Sequence, residues 1–142
     1  MAATTRIGWR EIVAVATGAA VGTGIRLTLD AVFPHTDVTF PWSTLIINVI
    51  GSFALGALVS TLWRRSDLPN WLRAGLGTGL VGSFTTFSAV IVSLIAESSA
   101  GEWMLALTYL AASLLLGFAA AVAGIALGGR VSRSAQPDLV DE

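Results

Sequence analysis

Cysteine is missing from this 142-residue chain, which excludes disulfides, thiolate metal sites and thiol catalysis. A single histidine, His35, leaves no imidazole pair for a metal and weakens any catalytic triad; in an outer loop it reads as solvated. Lysine is absent: the eight basic residues are all arginines, set against nine acids for a formal net charge of −1. No basic patch is available to hold nucleic acid. Charge of either sign is scarce, at 12% of residues, where a soluble domain carries about 25%. Such a chain cannot cover a water-facing surface. Proline is low at 4 while glycine reaches 15, so the glycines do not mark a low-complexity segment. What remains is apolar: 54% of the residues, with a mean hydropathy of +0.77. These absences point to a small integral membrane protein and leave an enzyme without a nucleophile–base pair.

The apolar residues fall into long runs. Val38 to Trp63 and Ala74 to Ala96 contain no charge, and Ser98 to Gly129 holds only Glu102. Ile12 to Leu29 is interrupted by Arg26 alone. A helix needs about 20 apolar residues to cross a bilayer, which predicts an all-α membrane domain over residues 1–133 with four spans near 10–32, 43–63, 72–96 and 102–128. The first span lacks a cleavage site of small residues before a polar region, so it reads as a span and not as a secretory signal. Residues 134–142 form a polar, acidic tail expected to be disordered.

Tryptophan and arginine mark the ends of the spans. Trp9, Trp42, Trp63, Trp71 and Trp103 all sit at expected boundaries, where an indole keeps its face apolar and its N–H wet. Seven arginines (Arg6, Arg10, Arg64, Arg65, Arg73, Arg130 and Arg133) flank one side of the four spans, and the connections near 33–42 and 97–102 carry none. The positive-inside rule places both termini and the middle loop in the cytoplasm of a cell membrane.

Small residues recur at helix-packing distance: Gly18 and Gly22, Ser52 and Gly56, Gly75 and Gly79, Gly124 and Gly128. This spacing lets backbones approach where lipid competes equally with Leu. Four short helices enclose little volume, so a dimer at least is expected. Gly77 to Gly82 also fits G-x-G-x-x-G, but a dinucleotide site needs a preceding strand and water-exposed phosphate, and these glycines lie inside an apolar run.

The chemistry gathers in span three. Gly82-Ser83-Phe84-Thr85-Thr86-Phe87-Ser88 puts four hydroxyls at the middle of the run. It reads either as a Ser/Thr packing face or as an interrupted helix, and such breaks build ion sites from freed carbonyls and half-helix termini. Asn48 in span two either donates to an anion or bonds a neighbouring helix. Arg26 either snorkels to the interface or lends positive potential to a vestibule. Tyr109 and Ser113, at i and i+4, form a hydroxyl stripe. No Asp or Glu is placed inside a span, which disfavours proton-coupled export, and the potassium-filter sequence is absent. Donors without acids suit a small anion.

These segments resemble the small dimeric fluoride channels called Fluc or CrcB. Gly18 through Arg26 is similar to the family's glycine-rich first helix. Pro41 through Phe53, with Asn48 and Gly51-Ser52-Phe53, is similar to its P-x-G-T-L-x-x-N-x-x-G-S-F second helix. Gly82 through Ser88 is similar to its G-x-x-T-T-F-S break in the third. The resemblance implies an antiparallel dimer with two narrow pores and passive F⁻ efflux that lowers cytoplasmic fluoride. It implies that Asn48 and the ring edge of Phe87 meet the ion, with hydroxyls from Thr86, Ser88, Tyr109 and Ser113 along the path and Arg26 ending the first helix. It also implies a structural Na⁺ at the dimer centre, held by the carbonyls of Gly82 and Thr85 from both subunits.

Three features depart from the family pattern. Val90 stands where a second Phe follows T-T-F-S, and Gly117 stands where a further hydroxyl often follows Ser113. Seven arginines against none is also a strong orientation bias, whereas a subunit that inserts both ways needs balance. The expected partner is therefore an oppositely oriented relative in preference to a second copy. The alternatives are a non-conducting half of such a heterodimer, or a membrane scaffold that uses its glycine faces.

Overall fold

The computed structural model describes residues 7–33 and 39–134, all of whose regular structure is helical. Helix α1 runs Trp9–Val32 and α2 runs Trp42–Ser60, followed by a 3₁₀ turn at Leu62–Arg64. The third span begins with α3 (Asn70–Ala74), passes through a π-helical segment (Gly75–Val81) and ends its first half at α4 (Gly82–Phe84). Helix α5 (Ser88–Ser99) completes it, and α6 runs Trp103–Ser134. Among the described residues, four helical stretches are long and apolar enough to cross a membrane: Trp9–Val32, Trp42–Arg64, Asn70–Ser99 and Trp103–Val131. These match the four expected spans within a few residues. Arg6, His35 and residues 135–142 lie outside the described residues. Ser134, expected to open the tail, closes α6.

The glycine pairs decide which helices touch. A Cβ on Gly18 would run into the Gly75 carbonyl, and one on Gly22 into the Leu80 carbonyl, with the Phe84 N–H close by. Gly75 faces Ala14 and Gly79 faces Val15, so α1 and the first half of the third span advance together in parallel. Likewise Gly56 meets the Ala121 carbonyl, Gly124 the Phe53 carbonyl and Gly128 the Ser60 hydroxyl, which lays α2 parallel to α6. The fold is thus two glycine-sealed pairs, with α5 packed on α6.

The π segment carries Gly75, Gly77 and Gly79, all buried. Gly77 and Gly79 are the first two glycines of the nucleotide-like pattern; the segment's glycines admit helix α1 and the Trp63 ring, which packs against Gly77, and among the described residues no strand precedes them. Trp9, Trp42, Trp71 and Trp103 are exposed at helix ends, as an interfacial belt requires, while Trp63 is half-buried. Between α5 and α6 the chain turns at Gly101, whose φ is +85°. The Glu102 N–H reaches back to the Glu97 carbonyl at 2.9 Å, closing α5 with a Schellman-type cap that needs a residue free of Cβ strain.

One sequence expectation is corrected here. Acids do lie within the helical spans. Glu11 and Asp30 are in α1, and Glu97 is in α5 with only 1% exposure. The apolar helix runs on past its expected end at residue 96 because the stop signal is the Gly101 cap, not the charge at 97.

Candidate functional site

Helical geometry stops at Phe84 and resumes at Ser88. Thr85 is extended (φ −77°, ψ 152°). The free backbone at this point is satisfied from α2. The Asn48 amide Nδ2 donates to the Thr86 carbonyl at 2.8 Å, and the Thr86 N–H donates to Asn48 Oδ1 at 2.8 Å. A carboxamide thus stands in for the missing peptide partner of Thr86 on both sides, the kind of pairing within the protein that irregular backbone at membrane depth requires. Of the two roles open to Asn48, the bonds it makes here are interhelical, and one amide hydrogen is left over.

Thr86 also caps the helix that follows. Its Oγ1 accepts from the Ala89 N–H at 3.2 Å and lies 2.9 Å from Ser88 Oγ. Whichever hydroxyl donates in that pair, one O–H remains to point outward. Thr85 turns its hydroxyl back to the Val81 carbonyl at 3.0 Å.

Two carbonyls lose their helical donors as a result. In a continuous helix the Thr86 N–H would bond the Gly82 carbonyl and the Ala89 N–H the Thr85 carbonyl. The first goes instead to Asn48 and the second to the Thr86 hydroxyl. Gly82 and Thr85 are the carbonyls that the sequence resemblance assigns to a cation.

A cleft of about 300 Å³ opens beside the break. Asn48, Gly82, Thr85, Thr86, Phe87 and Ser113 all line it. Phe87 is 66% exposed at its rim. Val90, only 2% exposed, closes the floor against Leu45 and Tyr109, and Gly117 lines the wall with open space before it apart from Ser52 Oγ.

Three sequence candidates stand apart from this lining. Ser88 is exposed beyond the cap. Tyr109 is fully buried, edge-on to Phe40 at 5.4 Å, with Thr44, Ser93 and Ser113 around its hydroxyl. Arg26 is half-buried on α1, a helix that contributes nothing to the cleft. Among the described residues, the hydroxyls of Ser43, Tyr109 and Ser113 are enclosed without an aligned hydrogen-bond partner.

Two contributors were not singled out from the sequence as part of a site. Ser52 lines the cleft one helical turn after Asn48, and that i+4 spacing was the available signal. Gly51 lets the Thr85 methyl seat against α2, where a Cβ would collide with it.

The family model described as CrcB-like protein, Camphor Resistance (CrcB), matches residues 13–125, a stretch that contains every cleft residue named above. The chain belongs to the CrcB family. Among CrcB relatives, the fluoride-specific ion channel FluC of Roseiflexus sp. (strain RS-1) is 39% identical over 124 residues, covering 87% of this chain and 97% of that one. FluC 1 of Mycobacterium tuberculosis (strain CDC 1551 / Oshkosh) is 38% identical over 112 residues, 79% of this chain and 85% of its own. FluC of Agrobacterium fabrum (strain C58 / ATCC 33970) is 38% identical over 119 residues, 83% and 95% respectively. The CrcB match thus reaches all four membrane-crossing stretches and omits only the first turn of α1, the last nine residues of α6 and the chain ends beyond them.

Proposed function

We propose that this chain is a subunit of a fluoride-selective channel that lets F⁻ leave the cytoplasm passively and so confers fluoride resistance. The observation that supports it most directly is the break at residues 85–87, held by Asn48 and opening onto a cleft of donors. Fluoride is small and strongly hydrated, so a path for it must replace water with fixed N–H and O–H groups. The remaining Asn48 amide hydrogen, the outward O–H of the Thr86–Ser88 pair and the Ser113 hydroxyl supply such donors. Tyr109 extends the set deeper. The Phe87 ring edge adds the positive rim of the aromatic quadrupole. Arg26 acts at a distance, as positive potential. An inside-negative potential drives the anion out at about 2.3 kcal/mol per charge per 100 mV.

A cation fits the same break. Carbonyl oxygens suit a hard ion, and Gly82 and Thr85 have carbonyls freed of their helical donors. Two oxygens from one chain fall short of a full shell, so two subunits would share a structural Na⁺, whose chemistry is to place positive charge between them.

The subunits pair antiparallel in the cell membrane, this chain with both termini in the cytoplasm and its partner an oppositely oriented relative. The seven-to-none arginine bias supports that orientation, and Val90 and Gly117 leave one path short of an aromatic edge and a hydroxyl. The test is efflux of fluoride against a chloride control from liposomes holding the purified chain, alone and with such a relative. Fluoride-selective efflux in either preparation supports the channel; silence in both supports a scaffold.

A further inference from the structure

A second groove runs along the outside of the α1 contact with the third span, enclosing about 710 Å³. It shares no residue with the cleft at the break. From Trp9 to Val21 it follows α1 for about 18 Å at ~1.5 Å per residue, slightly more than the ~15 Å depth of one leaflet's hydrocarbon. Its floor is the glycine seam of Gly18 and Gly75, and Val13, Leu76 and Leu80 form its walls. The wall's one hydroxyl, on Thr17, is spent on the Val13 carbonyl at 2.8 Å, so the groove interior is dry. Its polar groups gather at one end, where Arg10 lines the groove together with the exposed Trp9 and Trp71.

We propose that this groove is a binding site for one anionic phospholipid, with an acyl chain along the α1–third span seam and the phosphate headgroup on Arg10. The charge and the depth select the occupant. A basic residue at an anionic leaflet is favourable, indoles settle at headgroup level, and a dry channel one leaflet deep fits an acyl chain. The groove on the other flank of α1 supplies the contrast. It is also apolar, lined by Ile12, Val15 and Ala16, but Glu11 and Asn70 stand at its head, so it repels an anionic headgroup.

The full-length protein in detergent is titrated with dioleoyl phosphatidylglycerol or dioleoyl phosphatidylcholine, and bound lipid is counted by native mass spectrometry. The expected result is one phosphatidylglycerol retained in preference to phosphatidylcholine. Arg10→Gln should lower that preference roughly fivefold, while Glu11→Gln leaves it unchanged. Thr17→Phe, which fills the groove, should displace both lipids. Equal retention of the two lipids by the unaltered protein overturns the proposal, as does full retention by Arg10→Gln. So does efficient copy-to-copy crosslinking through Thr17→Cys, which would give the groove to a second protein.

Discussion

Asn48 and Thr86 are joined twice, amide to carbonyl and N–H to amide oxygen, each across 2.8 Å. The side chain of one helix thereby completes the backbone of another at the point where that backbone leaves the helix. Asn48→Asp keeps the shape but replaces the donor with an acceptor facing the Thr86 carbonyl. The loss of one bond and the burial of an unpaired acceptor should destabilise the fold by roughly 2–4 kcal/mol, read as a lower unfolding temperature in detergent. Fluoride efflux should fall with it. Unchanged stability would mean that the break is held by something else.

Phe87 tests function apart from stability. Its ring is 66% exposed at the cleft rim, so Phe87→Ala removes little packing. Unfolding should shift by less than ~1 kcal/mol, whereas efflux should drop about tenfold or more, the equivalent of ~1.4 kcal/mol on the barrier. A scaffold would tolerate the change without functional loss, and retained efflux would remove Phe87 from the path.

The seams predict a contrast among glycines. At Gly56 and Gly124 the neighbour is backbone, which cannot swing aside. Gly56→Val should cost at least the ~1–3 kcal/mol typical of overpacking and lower the folded yield. Gly24, with nothing within 4 Å of its missing Cβ, is the control. Gly24→Ala should be neutral or stabilise α1 by up to ~1 kcal/mol through helix propensity. Size-exclusion profiles and thermal unfolding of the purified variants separate the two.

Orientation can be read in cells. Tags on both termini, probed with an impermeant reagent, should report a single sidedness set by the arginines. Termini found on both sides would mean that the chain pairs with itself. The same preparation, reconstituted alone, should be silent for fluoride until an oppositely biased relative is added.

Much of this was legible in the residues. The four spans follow from where charge is absent, and the glycine pairs expected to pack do so, because both signals are local and survive any tertiary arrangement. The hydroxyl cluster over residues 82–88 was legible from its place at mid-span, whereas the joining of Asn48 and Ser113 to it came from the family resemblance. Glu97 was not: a charge ending an apolar run looks like a boundary, and only the cap at Gly101 reveals that the helix continues and buries it. The set-apart positions of Tyr109 and Arg26 were hidden for a different reason. A sequence states which residues share a helix face, but which face meets which neighbour is fixed by backbone contacts such as Gly22 on Phe84.

The division into two glycine-sealed pairs has a mechanical consequence. One pair grips the third span before residue 85, and the other grips it after residue 87. Any sliding of the pairs past each other must be taken up by the three intervening residues, because they alone in that span lie outside a helix. The opening beside them is thus the joint of the molecule, and Asn48 is the strut across it. Thickness or tension in the surrounding bilayer, acting on the outer helices, would be felt first as a change in aperture.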